Sequence, residues 1–206
     1  ENLYKAKSLT DDKKWLLIID ISIKNIQSAK NKSETSTMVN SLKGLLNPKK
    51  QNTFKDREVD RLIINRNVED ELIPYLLTIK TNQLNTTTDS RYGLGECSDF
   101  LLFDNDSKII SKLSNDIEKI CKKELGLKEL YVFDSFFNIF VSGSGQPPHR
   151  HMNLRDKNFN LISKKYSLVY YLDVGDQNNE APGILKLHNP DEEILPTNGM
   201  IVIIPA

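Results

Sequence analysis

The sequence predicts an α+β protein in which a helical first half is followed by a run of antiparallel strands, forming a β-sandwich or jelly roll with the helices packed outside. Three observations predict it. Before residue 90 the apolar residues recur mainly at three- and four-residue spacing, the period of a helix. The tract NQLNTTTDSRYG, rich in Asn, Thr and Ser, then reads as a loop dividing the chain into a mainly helical region, 1–90, and a second domain, 91–206. From residue 129 the pattern changes to aromatic and β-branched runs separated by turn residues, as strands require.

In order along the chain, DDKKWLLIIDISIKNIQSAK opens on a capping signal, Thr10 and Asp11, and sets Leu16, Ile19, Ile23 and Ile26 on one face, which predicts a helix. Its near-continuous apolar run from Trp15 to Ile19 is also that of a buried strand. A second helix is expected through Met38, Val39, Leu42, Leu45 and Leu46, ended by Pro48. VEDELIPYLLTIK is a third, with acidic residues where a helix N-terminus favours them and Pro74 as a potential break. DSKIISKLSNDIEKICKKEL is the clearest helix, since Ile109, Ile110, Leu113, Ile117, Ile120 and Cys121 form one face. Cys121 is thereby expected in the core and not as a nucleophile. LYVFDS, FFNIFVSG, SLVYYLDV, GILKLH and GMIVIIPA follow as strands, and DQNNEAPG as a turn.

Twenty-eight basic residues balance 28 acidic ones, so no overall field draws the protein to nucleic acid, and such a partner is not expected. No apolar run is long enough to cross a membrane as a helix. The two cysteines, Cys97 and Cys121, match no metal or disulfide spacing, which suits a reducing, cytoplasmic setting. The chain opens on Glu1 and stops at a strand-like run, so further sequence is expected on both sides.

The stretch GQPPHRHMNLRD, 145–156, holds two of the three histidines. If PHRHM enters a strand, His149 and His151 project from the same face, the geometry that a metal needs from two imidazoles. The two prolines hold the approach extended. An HxH pair alone is equally what a solvent-facing loop carries.

The order FFNIFVSGSG, HxH, YSLVYYLDV, acidic turn, Gly183, ILKLHNP and ILPTNGMIVIIPA resembles the 2-oxoglutarate and Fe(II)-dependent dioxygenases, in particular their prolyl-hydroxylase-like branch, over residues 91–206. The resemblance implies a double-stranded β-helix (jelly-roll) core, Fe(II) and 2-oxoglutarate as cofactors, and hydroxylation of a small-molecule or peptide substrate. His149 and His151 are then metal ligands. The family usually carries His-x-Asp or His-x-Glu, so His151 stands where a carboxylate is expected; Asp156 is the alternative carboxylate. Tyr171 or Tyr170 is implied as a hydrogen-bond donor to the co-substrate, alternation aiming one of them inward. Arg150 and Arg155 flank the site as candidates for an acidic substrate group, and Lys186 as a stand-in for the basic residue that holds the 2-oxoglutarate carboxylate. His188 is expected to be a surface or packing histidine. The family's distal histidine and its basic partner would lie beyond residue 206. A cupin-like metal-binding protein and a noncatalytic partner-binding protein with a degenerate sandwich are the competing expectations.

Overall fold

The computed structural model describes residues 15–24, 61–84, 95–141, 144–152, 156, 165–178, 182–188 and 191–206. Its elements are β1 (Trp15–Lys24), β2 (Leu62–Asn65), α1 (Leu72–Leu76), β3 (Asn82–Gln83), β4 (Gly95–Cys97), a 3-10 turn (Leu102–Asp104), α2 (Lys108–Glu124), β5 (Tyr131–Val141), β6 (Lys165–Asp173), β7 (Leu185–His188), β8 (Asp191–Ile194) and β9 (Met200–Pro205). Seven strands form one antiparallel sheet in the order β2-β9-β6-β1-β5-β4-β3, and β7 and β8 form a second. Neither sheet closes on itself among the described residues. The architecture is therefore mixed α+β.

Alternation along the central strands sends side chains to two cores. Ile19, Ile21, Phe137, Ile139, Leu168, Tyr170, Leu172, Ile201 and Ile203 share a cluster with Ile110, Leu113, Ile117 and Cys121 of α2. The interleaved residues Phe140, Val169, Tyr171 and Val202 meet Leu185, Leu187 and Ile194 of the small sheet. The large sheet is thus a middle layer, helix on one face and hairpin on the other. Its central strands read as unbroken apolar runs because both faces are covered.

The expected helix over 11–30 is corrected: residues 15–24 form β1. Leu17, Ile19, Ile21 and Ile23 carry a period of two alongside the helical stripe, and pairing with β5 on one side and β6 on the other decides between them. Strands from before and after residue 90 consequently share one sheet. The candidate helix at 38–46 lies outside the described residues. VEDELIPYLLTIK yields the short helix α1, which accommodates Pro74 in its first turn, where the missing N–H costs nothing. The helix expected near 108–125 forms as α2; Ser107 caps it, its hydroxyl accepting from the Ile110 N–H. LYVFDS and FFNIFVSG fuse into the single strand β5, and β8 is a strand that the acidic DEEI did not announce. No described helix is long and apolar enough to cross a membrane.

The junction before β9 depends on Gly199. Its φ is +85°, and a Cβ there would lie 2.5 Å from the Arg66 carbonyl oxygen. That close approach lets Gly199 N–H donate to Tyr171 O and Gly199 O accept from Arg66 N, each at 2.8 Å.

Ile19 is fully buried in β1. Ile19→Ala is expected to cost about 2–5 kcal/mol in urea denaturation. A loss under about 0.5 kcal/mol, typical of surface positions, would place this residue outside the core and return 15–24 to the helical reading.

Candidate metal centre

The loop between β5 and β6 carries both histidines of GQPPHRHMNLRD. The expectation that PHRHM enters a strand is not met, because residues 146–152 form none. Pro147 and Pro148 offer no backbone donors to a ladder, which is one physical reason. Bends at Pro148 and His151 nevertheless bring the rings together, with centres 4.8 Å apart and planes inclined by 57°. Two imidazoles bound side by side to one ion, at about 2.1 Å per metal–nitrogen bond, place their ring centres roughly 4.5–5 Å apart. The observed spacing suits chelation.

The protonation states suit it as well. His149 Nδ1 lies 2.9 Å from the carbonyl oxygen of Pro147. A carbonyl only accepts, so this contact puts a proton on Nδ1 and makes Nε2 the nitrogen that could meet a ligand. His151 is half-buried, and burial, reinforced by His149 and Lys165, lowers its pKa to about 4. Its imidazole is neutral at neutral pH, the form that ligates a metal.

Beneath the pair lies a residue that the sequence reading passed over. Lys165, the first residue of β6, is 5% exposed at its side chain. Its ammonium donates to His151 O at 2.7 Å and to Asp156 Oδ2 at 2.9 Å. The signal was present: a lysine opening the largely apolar strand KYSLVYYLD, where a buried lysine demands a partner. Asp156, itself 7% exposed, is engaged in this ion pair, so the structure places the alternative carboxylate on Lys165. Among the described residues, no group of three or more His, Cys, Asp or Glu side chains is gathered for a metal.

Alternation does separate the two tyrosines. Tyr170 faces α2 and belongs to a different polar cluster: its hydroxyl accepts from Arg66 Nη1 at 3.0 Å and donates to Asn67 O at 3.2 Å. Arg66 Nη2 also reaches Glu69 at 2.6 Å and Asp116 at 3.0 Å. Burial works to raise the Glu69 pKa, but hydrogen bonds from Arg66 and Lys112 prevail and hold it at about 2. This network joins β2, α2 and β6. An open cleft of about 570 Å³ lies beside it, lined in part by Asn67, Asp70, Asp173 and Asn198. Asp173 and Asn198 already accept from the backbone N–H groups of Gly175 and Val174, so they serve turns there. Tyr171 lies on the opposite face, the one shared with Lys165 and Ser167. Six residues separate it from Lys165, roughly 20 Å along the strand.

Of the remaining candidates, Arg150 is exposed in the histidine loop, and Arg155 lies outside the described residues. Lys186 is exposed and donates to Glu193 across the β7–β8 hairpin at 3.1 Å. His188 is exposed at the end of β7. Cys121 is fully buried, and burial, with the nearby Glu118, pushes its thiol up to about 12, which removes it as a nucleophile.

The lowered pKa of His151 sets a pH dependence. Between its ordinary value of 6.5 and the folded value of about 4, the unfolded chain binds the proton and the native protein does not. Stability is therefore full above 6.5 and is lost as pH falls toward 4. NMR titration of the His151 ring should give a midpoint near 4, and His151→Gln should remove this part of the acid-side loss in denaturation curves. A midpoint near 6.5 would mean a solvated ring. No protein-family model, curated protein or solved structure matches the chain, and the chemistry of the site rests on its own residues.

Proposed function

We propose that the chain is a non-haem Fe(II), 2-oxoglutarate-dependent oxygenase that hydroxylates a small-molecule or peptide substrate, built on a jelly-roll core. The observation that carries this reading is the histidine pair: rings 4.8 Å apart, His149 held by Pro147 O through Nδ1, and His151 neutral. Nitrogen donors of this kind suit iron and neighbouring transition metals and do not suit magnesium or calcium.

The topology supports the jelly roll. β6 pairs with β9 in the large sheet, while β7 and β8, lying between them in sequence, pair in the small one. A long hairpin whose outer strands lie in one sheet and inner strands in the facing sheet is the unit from which a jelly roll is wound. The histidine loop precedes β6 in sequence and contacts its first residue, Lys165.

Individual residues support the implied groups. His149 and His151 would hold the metal, two of the three protein ligands of a facial site. Ser167, on the same face as Lys165, is 1% exposed, and its hydroxyl has no hydrogen-bond partner among the described residues. A co-substrate carboxylate is an acceptor that would satisfy it. When bound, Fe(II) with 2-oxoglutarate and oxygen supplies the oxidant for a C–H bond. The protein's part is to orient the two imidazoles: the Pro147 carbonyl holds His149 through Nδ1, and burial keeps the proton off His151.

Anaerobic titration of the protein with Fe(II) and 2-oxoglutarate should develop a weak visible charge-transfer band that His149→Ala abolishes. No band and no retained metal in the unaltered protein would leave these as ordinary loop histidines and favour a noncatalytic, partner-binding protein.

A further inference from the structure

We infer that Lys165 is a positioning residue for the histidine pair, acting with Asp156 as a clamp that fixes the main chain of His151. The inference rests on the two-histidine metal site proposed above and adds to it the group that holds the site in shape.

A metal site built from loop imidazoles needs its ring positions held to within about 0.5 Å. A strand would supply that restraint through its ladder, but residues 146–152 form no strand. Among the described residues, one ammonium supplies a restraint on the His151 main chain. Lys165 Nζ donates to His151 O at 2.7 Å and to Asp156 Oδ2 at 2.9 Å, so a single charge holds both ends of the segment from 151 to 156. Lys165 is in turn fixed by the sheet. It stands opposite Lys24 in β1, and its carbonyl accepts from Ala206 N at 3.1 Å beyond the end of β9. With the two side chains only 5% and 7% exposed, water does not readily take over the ion pair. An ammonium has three donors to satisfy, and here one of its acceptors is the carbonyl of a candidate ligand.

The test uses Co(II) as the probe and measures two quantities: its affinity, from the visible absorption of the bound ion, and the nuclear Overhauser contact between the His149 and His151 rings in the metal-free protein. Removing Lys165 alone would take the ion-pair partner from a buried carboxylate and risk unfolding. The first variant is therefore the double substitution Lys165→Met with Asp156→Leu, which replaces the pair by apolar groups. The second is Asp156→Asn, which keeps the volume and one acceptor. Circular dichroism confirms the fold of each. The double variant should bind Co(II) roughly tenfold to a hundredfold more weakly and lose the ring contact, with a smaller effect in Asp156→Asn. Wild-type affinity and an intact ring contact in both variants would overturn the clamp. If the unaltered protein binds no Co(II), yet its ring contact is present and disappears in the double variant, the metal site fails while the positioning role of Lys165 stands.

Discussion

Everything described here depends on β1 lying between β5 and β6. It pairs on both sides, Trp15 to Lys24 against β5 and Leu17 to Lys24 against β6. Without it the two longest strands that follow would each present an unpaired edge, and buried backbone groups left unpaired carry a heavy penalty. Its Ile19 and Ile21 also enter the cluster beneath α2, so one strand links the hydrogen-bonding framework to the larger core. The start of β6, where Lys165 stands, is set by the same pairing, and the position of the histidine loop follows from it.

The two faces of that sheet have taken different roles. The face toward α2 holds the deeper cluster together with the Arg66 network, in which guanidinium, carboxylates and phenol satisfy one another. Such a network adds little net stability against an apolar equivalent, yet it fixes partners in one arrangement. The opposite face mixes apolar contacts to the hairpin with Ser167 and the buried Lys165–Asp156 pair. Polar groups placed inside a core are costly unless paired. On the side reached by the histidine loop they are one buried ion pair and a serine hydroxyl with no hydrogen-bond partner among the described residues.

Much of this was legible in the sequence because one period dominated. In α2 the apolar residues fit a helix and no strand, and in β6 and β9 the runs are short, β-branched and bounded by turns. β1 was not legible, since Leu16, Ile19 and Ile23 fit one period while Leu17, Ile19, Ile21 and Ile23 fit the other. Only distant pairing resolves such a tie. For the site, proximity of the histidines was readable from HxH, though its cause was not: bends at Pro148 and His151 achieve what strand alternation was expected to do. Lys165 itself was visible at the head of β6, but its two acceptors, His151 O and Asp156, lie 14 and nine residues before it, and no local pattern reports them.

The central place of β1 also has a meaning in time. During synthesis it is the first of these strands to emerge, but its partners begin only at Tyr131 and Lys165. At roughly 5–20 residues per second, the apolar run WLLIIDISI waits on the order of 5–20 s for its first edge. Contacts of such long sequence separation form late and slowly. The strand that organises the finished sheet is thus the segment most in need of shielding while the chain is incomplete.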